Sequence, residues 1–305
     1  MLSRMKKDTK IIFIGQGLFG FTGLKKLLKE PWINKIKIAG IISLENNTYV
    51  HSVAQDLNIP FCSSEQIQHS FSWISNLNPD LAIMMNFPHK LTSSFIELFK
   101  NGIINIHPSD LPKYKGGAPY EASILNEDSL VLTAHFIDCK FDSGPIIKKT
   151  DPVDIRFLTL ETVYHLSCQK AVDILDKILP LIAENKLCSI KQNKCMESYF
   201  WYKDLPQKIR LIFQSDTHEM LARKMNAYSP RSIKIGEIMH KGEIKTIEID
   251  NLYTVDIKMN KRAGEIIKID LDRKKMHIST KDGFSVVCFN NNSDMWCKAM
   301  KTVEE

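Results

Sequence analysis

No Cys-x-x-Cys pair, no internal repeat, no low-complexity tract and no apolar run approaching a membrane span occurs in this sequence. The seven cysteines (Cys62, Cys139, Cys168, Cys188, Cys195, Cys288 and Cys297) are odd in number, scattered and without metal-ligand spacing. They read as reduced thiols serving as small core residues, so neither a disulfide scaffold nor a metal site is expected. A strong charge bias is also missing: 41 Lys and Arg against 35 Asp and Glu leave a net charge of +6. Residues 201–305 hold 19 of those cations against 15 acids, an excess compatible with an anionic substrate or with RNA and diagnostic of neither. The start, MLSRMKKDTK, is basic. The apolar run behind it, IIFIG, is too short for a secretory leader, so the expected location is the cytoplasm, with no membrane partner.

What is present is an ordinary globular composition, 44% hydrophobic, at a length comfortable for two domains. IIFIG (11–15) reads as a buried strand that feeds GQGLFG (15–20) and a helix with Leu24, Leu27 and Leu28 on one face. KIAGIIS (37–43) is a second strand, and VAQDLNIPF (53–61) is a helix followed by a short strand at Pro60. DLAIMMNF (80–87) is a third strong strand, TSSFIELFK (92–100) a helix capped by Thr92 or Ser93, and GIINIH (102–107) the next strand. Leu132 to Asp138 reads as a strand, FDSGPIIKK (141–149) as a turn and a strand, and 159–185 as a long amphipathic helix. This alternation predicts an α/β fold: a Rossmann-like, mostly parallel sheet with helices on both faces. SYFWYKDLPQK (198–208) reads as a linker strapped across a surface. From Lys234 onward there are only short strands, broken at Lys241-Gly242, Asp272-Arg273 and Asp282-Gly283, with a polar turn at Asn290 to Asn292. They predict a small C-terminal β-barrel-like, OB-like domain, and the expected division is 1–205 and 206–305.

The chemistry concentrates between Gly102 and Gly117. Asn105 and His107 stand two residues apart, hence on one face of their strand, and Pro108 holds His107 extended at the strand end. In parallel sheets ligands bind beyond such ends. The loop behind carries Lys113, Lys115 and Gly116-Gly117, a layout suited to binding. Asp142 opens Asp-Ser-Gly beyond another strand end, where it could reach a neighbouring His. Asn, His and Asp together suit attack on a carbonyl. The amide stabilises the developing oxyanion, the imidazole moves a proton, and the carboxylate raises the imidazole pKa and fixes its tautomer. A second motif competes: Gly15, Gly17 and Gly20 fit a dinucleotide fingerprint, with Glu45 roughly where an acid would hold a ribose hydroxyl. Any tight strand-to-helix turn also favours glycine.

NIHPSDLPKYKGGAP followed by FDSG resembles the formyltransferases that use 10-formyltetrahydrofolate. The purine-pathway glycinamide ribonucleotide enzyme carries a similar Asn-x-His-Pro-Ser-x-Leu-Pro run. Methionyl-tRNA and amino-sugar formyltransferases carry Asn-x-His-x-Ser-Leu-Leu-Pro, then Arg-Gly, then Asp-x-Gly. The resemblance spans about residues 10–290 and includes a β-rich C-terminal domain. It implies a catalytic domain at 1–205. It also implies Asn105 as oxyanion stabiliser, His107 as general acid/base and Asp142 as the residue that raises the His pKa. The pterin pocket would include the backbone of His89, Lys90 and Leu91, the loop of Ser109, Asp110, Leu111 and Pro112, and the segment from Asp138 to Asp142. The implied reaction moves the formyl group of the folate co-substrate to a primary amine.

The departures bear on the acceptor. Asp110 replaces a Leu, Lys115 stands where Arg is common and loses its bidentate fork, and Gly117 replaces an Arg that contacts substrate in the amino-arabinose enzyme. Methionyl-tRNA formyltransferases share a long basic insertion after the second strand; here SLENNTYVHS (43–52) is short and has no Lys or Arg. The expected acceptor is therefore a small amine, that of a nucleotide-linked amino sugar, with methionyl-tRNA as the alternative. A NAD-binding oxidoreductase built on GQGLFG and a formyltetrahydrofolate hydrolase are the further alternatives.

Overall fold

Ile11, Ile12, Phe13 and Ile14 are all fully buried, so the first strand, β1 (Thr9–Gly15), is covered on both faces, as the centre of a parallel sheet must be. The computed structural model describes every residue except 1–8, 45–47, 70, 207, 229–232, 259, 290–296, 298 and 302–305. Glu45 and the turn at Asn290 to Asn292 thus lie outside the described residues.

The chain forms two compact units. One comprises 1–123, 129–154 and 163–201; the other 124–128, 155–162 and 202–305. In the first unit β1 is followed by α1 (Gly17–Leu27), β2 (Ile36–Ser43), α2 (Thr48–Asp56), β3 (Phe61–Ser63) and α3 (Phe71–Leu77). Then come β4 (Leu81–Met85), α4 (Ser93–Ile96), β5 (Ile103–His107), α5 (Pro119–Leu125), β6 (Thr133–Phe136), β7 (Ile146–Lys149) and α6 (Leu160–Ala183). The seven strands make one sheet in the order β3-β2-β1-β4-β5-β6-β7. The first five run parallel, while β6 and β7 are antiparallel additions. The Rossmann-like, mostly parallel sheet read from the strand–helix alternation is the one observed.

Helices cover both faces. Ile12, Ile14, Ile42, Ala82, Met84 and Ile103 pack with Ile74 of α3 and with Phe95 and Phe99 from and behind α4. On the opposite face Met85 presses against Gly23 of α1, whose Cβ would also meet Leu175 of α6. Each fully buried Ile or Phe in these layers contributes about 1.5–3 kcal/mol relative to exposure.

Three elements differ from their sequence readings. The helix expected over 92–100 is regular only from Ser93 to Ile96, although Thr92 caps it as read, accepting from the Phe95 N–H. The helix before β3 starts at Thr48 rather than at 53; among its described side chains Val50 and Ala54 alone are buried, too few to show a helical period. The strand read over Leu132 to Asp138 shrinks to Thr133–Phe136, because the turn bearing Asp142 begins behind it.

The second unit holds β8 (Lys208–Ile212), α7 (His218–Tyr228), β9 (Ile233–His240), β10 (Glu243–Ile249), β11 (Asn251–Lys258), β12 (Ile266–Asp270), β13 (Lys275–Ser279) and β14 (Phe284–Phe289). They form two small sheets, β10-β9-β8 and β11-β14-β13-β12. β8, at the end of the stretch read as a linker, is a strand paired in parallel with β9. Among the described residues no helix is long and apolar enough to cross a membrane.

Candidate active site

Asn105 and His107 lie on β5 beside antiparallel β6, whose register sets Asn105 opposite His135 and His107 opposite Thr133. Period two therefore turns all four side chains to one face of the sheet. Asp142 reaches the same point from the turn between β6 and β7. Its φ of 50° is left-handed, a conformation that Asp tolerates better than most residues. Its Oδ1 lies 3.6 Å from His107 Nδ1, 3.6 Å from His135 Nε2 and 3.4 Å from Asn105 Nδ2. Its Oδ2 accepts the Gly116 N–H at 2.9 Å. The three residues expected to act together are thus brought together, with His135 as a fourth.

The hydrogen bonds fix the tautomers. His107 Nε2 lies 3.0 Å from the Tyr114 carbonyl, which can only accept, so Nε2 carries the proton and Nδ1 faces Asp142. His135 Nδ1 donates likewise to the Phe136 carbonyl at 2.8 Å, which leaves Nε2 to accept from Asn105 Nδ2 at 3.1 Å. Both N–H bonds of Asn105 are therefore engaged, one well and one in the long contact to Asp142.

Burial is the largest influence on His107 and lowers its pKa; Asp142 and the Tyr114 carbonyl raise it, and His135 lowers it further. The net direction is down, so the rise expected from Asp142 is present but outweighed. For Asp142 burial is again the largest influence and opposes ionisation. His107, His135 and the Gly116 N–H together outweigh it and hold the carboxyl well below the usual carboxylate range. The site at neutral pH is an ionised Asp142 beside an uncharged His107.

The loop behind β5 is tied down from several sides. Thr133 Oγ1 donates to the Ser109 carbonyl at 2.7 Å and accepts the Leu111 N–H at 3.3 Å. Ser109 Oγ donates to the Lys113 carbonyl, and the Pro112 carbonyl accepts the Ser198 N–H. Lys149 Nζ reaches Asp110 Oδ1 at 2.5 Å and the Leu111 carbonyl at 2.6 Å, so the unusual acid in this loop is neutralised from β7. Lys115, read as a cation of a binding loop, is instead buried at 1% exposure, paired with Glu197 at 2.8 Å under the Tyr199 ring. Its charge is spent inside the fold. The stretch read as a strap does lie across this loop: Lys115 N–H donates to the Ser198 carbonyl and Phe200 N–H to the Lys115 carbonyl.

The remaining residues assigned to a pterin pocket lie on the segment after β4 and on the turn that bears Asp142. His89 and Lys90 are exposed in the irregular segment after β4, and Leu91 is part of the core. Lys90 Nζ lies 5.9 Å from the Phe141 ring centre, so this segment faces the turn that bears Asp142. Asp138 is exposed, and its carboxylate accepts from Ser143 Oγ and the Lys140 N–H, holding that turn. A cavity of about 240 Å³ opens beside the segment after β4, lined by Ile67, Phe71, Lys90, Leu91, Thr92, Ser94 and Phe95. Its lining is two phenylalanine rings and two aliphatic chains with a few polar edges.

Packing alone accounts for the competing glycine motif. A Cβ on Gly15 would meet the Met85 carbonyl at 2.8 Å, and one on Gly20 the Gly15 backbone at 3.0 Å; Gly17 has φ of 64°. The Phe19 N–H at the start of α1, where a phosphate would sit, donates to Tyr164 Oη. Among the described residues no group of His, Cys, Asp and Glu is arranged to hold a metal ion, and the cysteines are free thiols.

Sequence reasoning missed His135 and Gln192. The first needs the antiparallel pairing of β5 with β6. The second lies beyond α6, and its Nε2 donates to the carbonyls of Asp142 and Gly144 at 2.8 and 2.7 Å.

Residues 9–177 match the family model described as formyl transferase. A methionyl-tRNA formyltransferase of Wolbachia sp. subsp. Drosophila simulans (strain wRi) is 30% identical over 284 residues, covering 90% of this chain and 88% of that protein. In fold, the chain is similar to WlaRD, a sugar 3N-formyl transferase crystallised in the presence of dTDP and 5-N-formyl-THF. The TM-score is 0.68 at 22% identity, over 93% of this chain and 98% of that one. It is similar as well to an N-formyltransferase from Helicobacter canadensis in complex with folinic acid and dTDP-3-aminofucose. Here the TM-score is 0.70 at 20% identity, over 92% and 99% of the two chains.

Proposed function

The chain belongs to the formyl transferase family, and we propose that it carries the formyl group of 10-formyltetrahydrofolate to the primary amine of a nucleotide-linked amino sugar. The observation that carries the reaction is the meeting of Asn105, His107 and Asp142 around one carboxylate oxygen, at the carboxyl end of β5. Residues 1–205 are the catalytic domain in this reading, and 206–305 the β-rich companion. The folate supplies an activated formyl carbon. The backbone of His89 to Leu91, the Ser109 to Pro112 loop and the turn from Asp138 would hold it, next to the cavity lined by Phe71 and Phe95.

His107 starts neutral with Nδ1 bare. It takes the proton that the attacking amine loses and returns it to the departing folate nitrogen, so that formamide and tetrahydrofolate form without a net proton. Asp142 stabilises the transient imidazolium. Asn105 keeps its 3.1 Å bond to His135 and turns the other N–H, now in the long contact to Asp142, to the oxyanion that develops on the formyl oxygen.

A base must be unprotonated to act, and burial lowers the His107 pKa from its ordinary 6.5. The limb that His107 sets in kcat/KM therefore lies below pH 6.5. A limb centred above pH 7 in the wild type, absent from His107→Asn, would contradict this protonation state.

The small acceptor is supported by the connection after β2. That strand ends at Ser43 and α2 begins at Thr48, which leaves four residues without Lys or Arg where a basic insertion would grip an acceptor stem. One specific observation favours methionyl-tRNA as the second reading: the relative at 30% identity over nearly the whole chain is named for that activity. Tetrahydrofolate release measured with a nucleotide amino sugar and with methionyl-tRNA, each across a salt series, separates them. The sugar reading expects turnover with the sugar that changes less than about twofold with salt. Turnover with tRNA alone, losing roughly 1,000-fold or more in affinity between about 50 and 200 mM salt, would replace it.

A further inference from the structure

We infer that Gln192 is a positioning residue for the formyl transfer proposed above: its two amide N–H groups clamp the turn that aims Asp142 at His107. The inference rests on that reading of the site and extends it to a segment outside the sheet. After α6 the chain returns along β7, where Ile190 and Ile146 exchange both backbone hydrogen bonds at 2.8 Å. Two residues on, Gln192 lies beside the turn between β6 and β7. Its Nε2 donates to the Asp142 carbonyl at 2.8 Å and to the Gly144 carbonyl at 2.7 Å, bracketing the turn on either side of Ser143. Two carbonyls can only accept, so the orientation of the amide is unambiguous. Gln192 Oε1 is left buried and finds no partner among the described residues. A fold tolerates an orphaned acceptor of that kind where the donors opposite it do something needed.

The need is visible in the geometry. Asp142 is held in a left-handed conformation, and its carboxylate meets His107, His135, Asn105 and the Gly116 N–H. Those contacts restrain the side chain; Gln192 restrains the main chain it hangs from. The same segment continues to Ser198 and Phe200, which pair with the backbone of Lys115 and Ala118. One stretch thus fastens both the Asp142 turn and the loop whose Tyr114 carbonyl fixes the His107 tautomer.

Two variants separate donation from packing. Gln192→Met fills the same space without donors and is expected to lower kcat by roughly 10- to 100-fold with KM unchanged, since misplacing a catalytic group by about 1 Å costs that order. Gln192→Glu sets a carboxylate against two carbonyls and is expected to lose more at neutral pH. Protonation gives it back one donor, so its deficit relative to wild type narrows as the pH falls. A role limited to packing leaves Gln192→Met at wild-type kcat and gives Gln192→Glu a deficit independent of pH; either result overturns the inference. Amide exchange at Gly116, read by NMR, tests the clamp without turnover. Gly116 is expected to exchange faster in Gln192→Met while Ile104 in β5 is unchanged, and equal rates at Gly116 would overturn the clamp even in a preparation that transfers no formyl group. Absence of transfer in the wild type with faster Gly116 exchange in the variant would instead sink the reading of the reaction and leave the clamp standing.

Discussion

His107→Ala lowers kcat by roughly 100- to 10,000-fold, the range general acid–base groups contribute, with little change in KM for the folate. Among the described residues the imidazole carries the one bare ring nitrogen that faces Asp142, while its other nitrogen is tied to a backbone carbonyl, so no described neighbour substitutes for it. His135 is the nearest rival. Its Nδ1 is spent on Phe136 and its Nε2 on Asn105, and it is fully buried, which removes it from proton traffic with a substrate. Steady-state kinetics of His107→Ala and His107→Asn check this. Full activity in either would refute the mechanism.

Gly144→Ala distorts the turn that bears Asp142 and destabilises the fold. A Cβ at this position would stand 1.9 Å from the Phe136 carbonyl oxygen and 2.8 Å from its carbon, both backbone atoms of a strand paired on each side. Relief requires moving the turn, and the turn carries Asp142. The same carbonyl accepts the His135 N–H that sets its tautomer. The expected loss of stability is about 3–5 kcal/mol, in the range reserved for backbone clashes and buried-network damage, together with loss of turnover. Denaturant unfolding and a kinetic assay on the same preparation measure both. A variant within about 0.5 kcal/mol of wild type, the range of an ordinary surface change, would show that the turn has room the structure does not give it.

The sheet was legible because its strands are short, apolar and separated by helical patterns; Ile11 to Ile14 announce burial on both faces without any neighbour in view. Asn105 and His107 were legible because period two needs only their own strand. Asp142 was legible as a turn residue, and its partner became clear through the resemblance of the motif around it. What the sequence hides is whatever depends on pairing at a distance. His135 acquires its meaning from a register with β5 across a connection that contains a helix. Gln192 acts on a turn fifty residues earlier in the chain. The burial of Lys115 could not be read locally either, since a lysine between a tyrosine and a glycine looks like a surface cation until Glu197 and Tyr199 close over it. The boundaries of α2 and α4 failed for a simpler reason: too few of their residues face the core to leave a helical period.

The most direct test of the central claim follows the formyl carbon itself. With 10-formyltetrahydrofolate labelled at the formyl carbon and a nucleotide amino sugar as acceptor, the account predicts that the label appears in a formamide on the sugar nitrogen, one equivalent per tetrahydrofolate released, and that His107→Ala suppresses both together. Label recovered as free formate at the same rate, with or without the amine, would contradict it and make the chain a hydrolase.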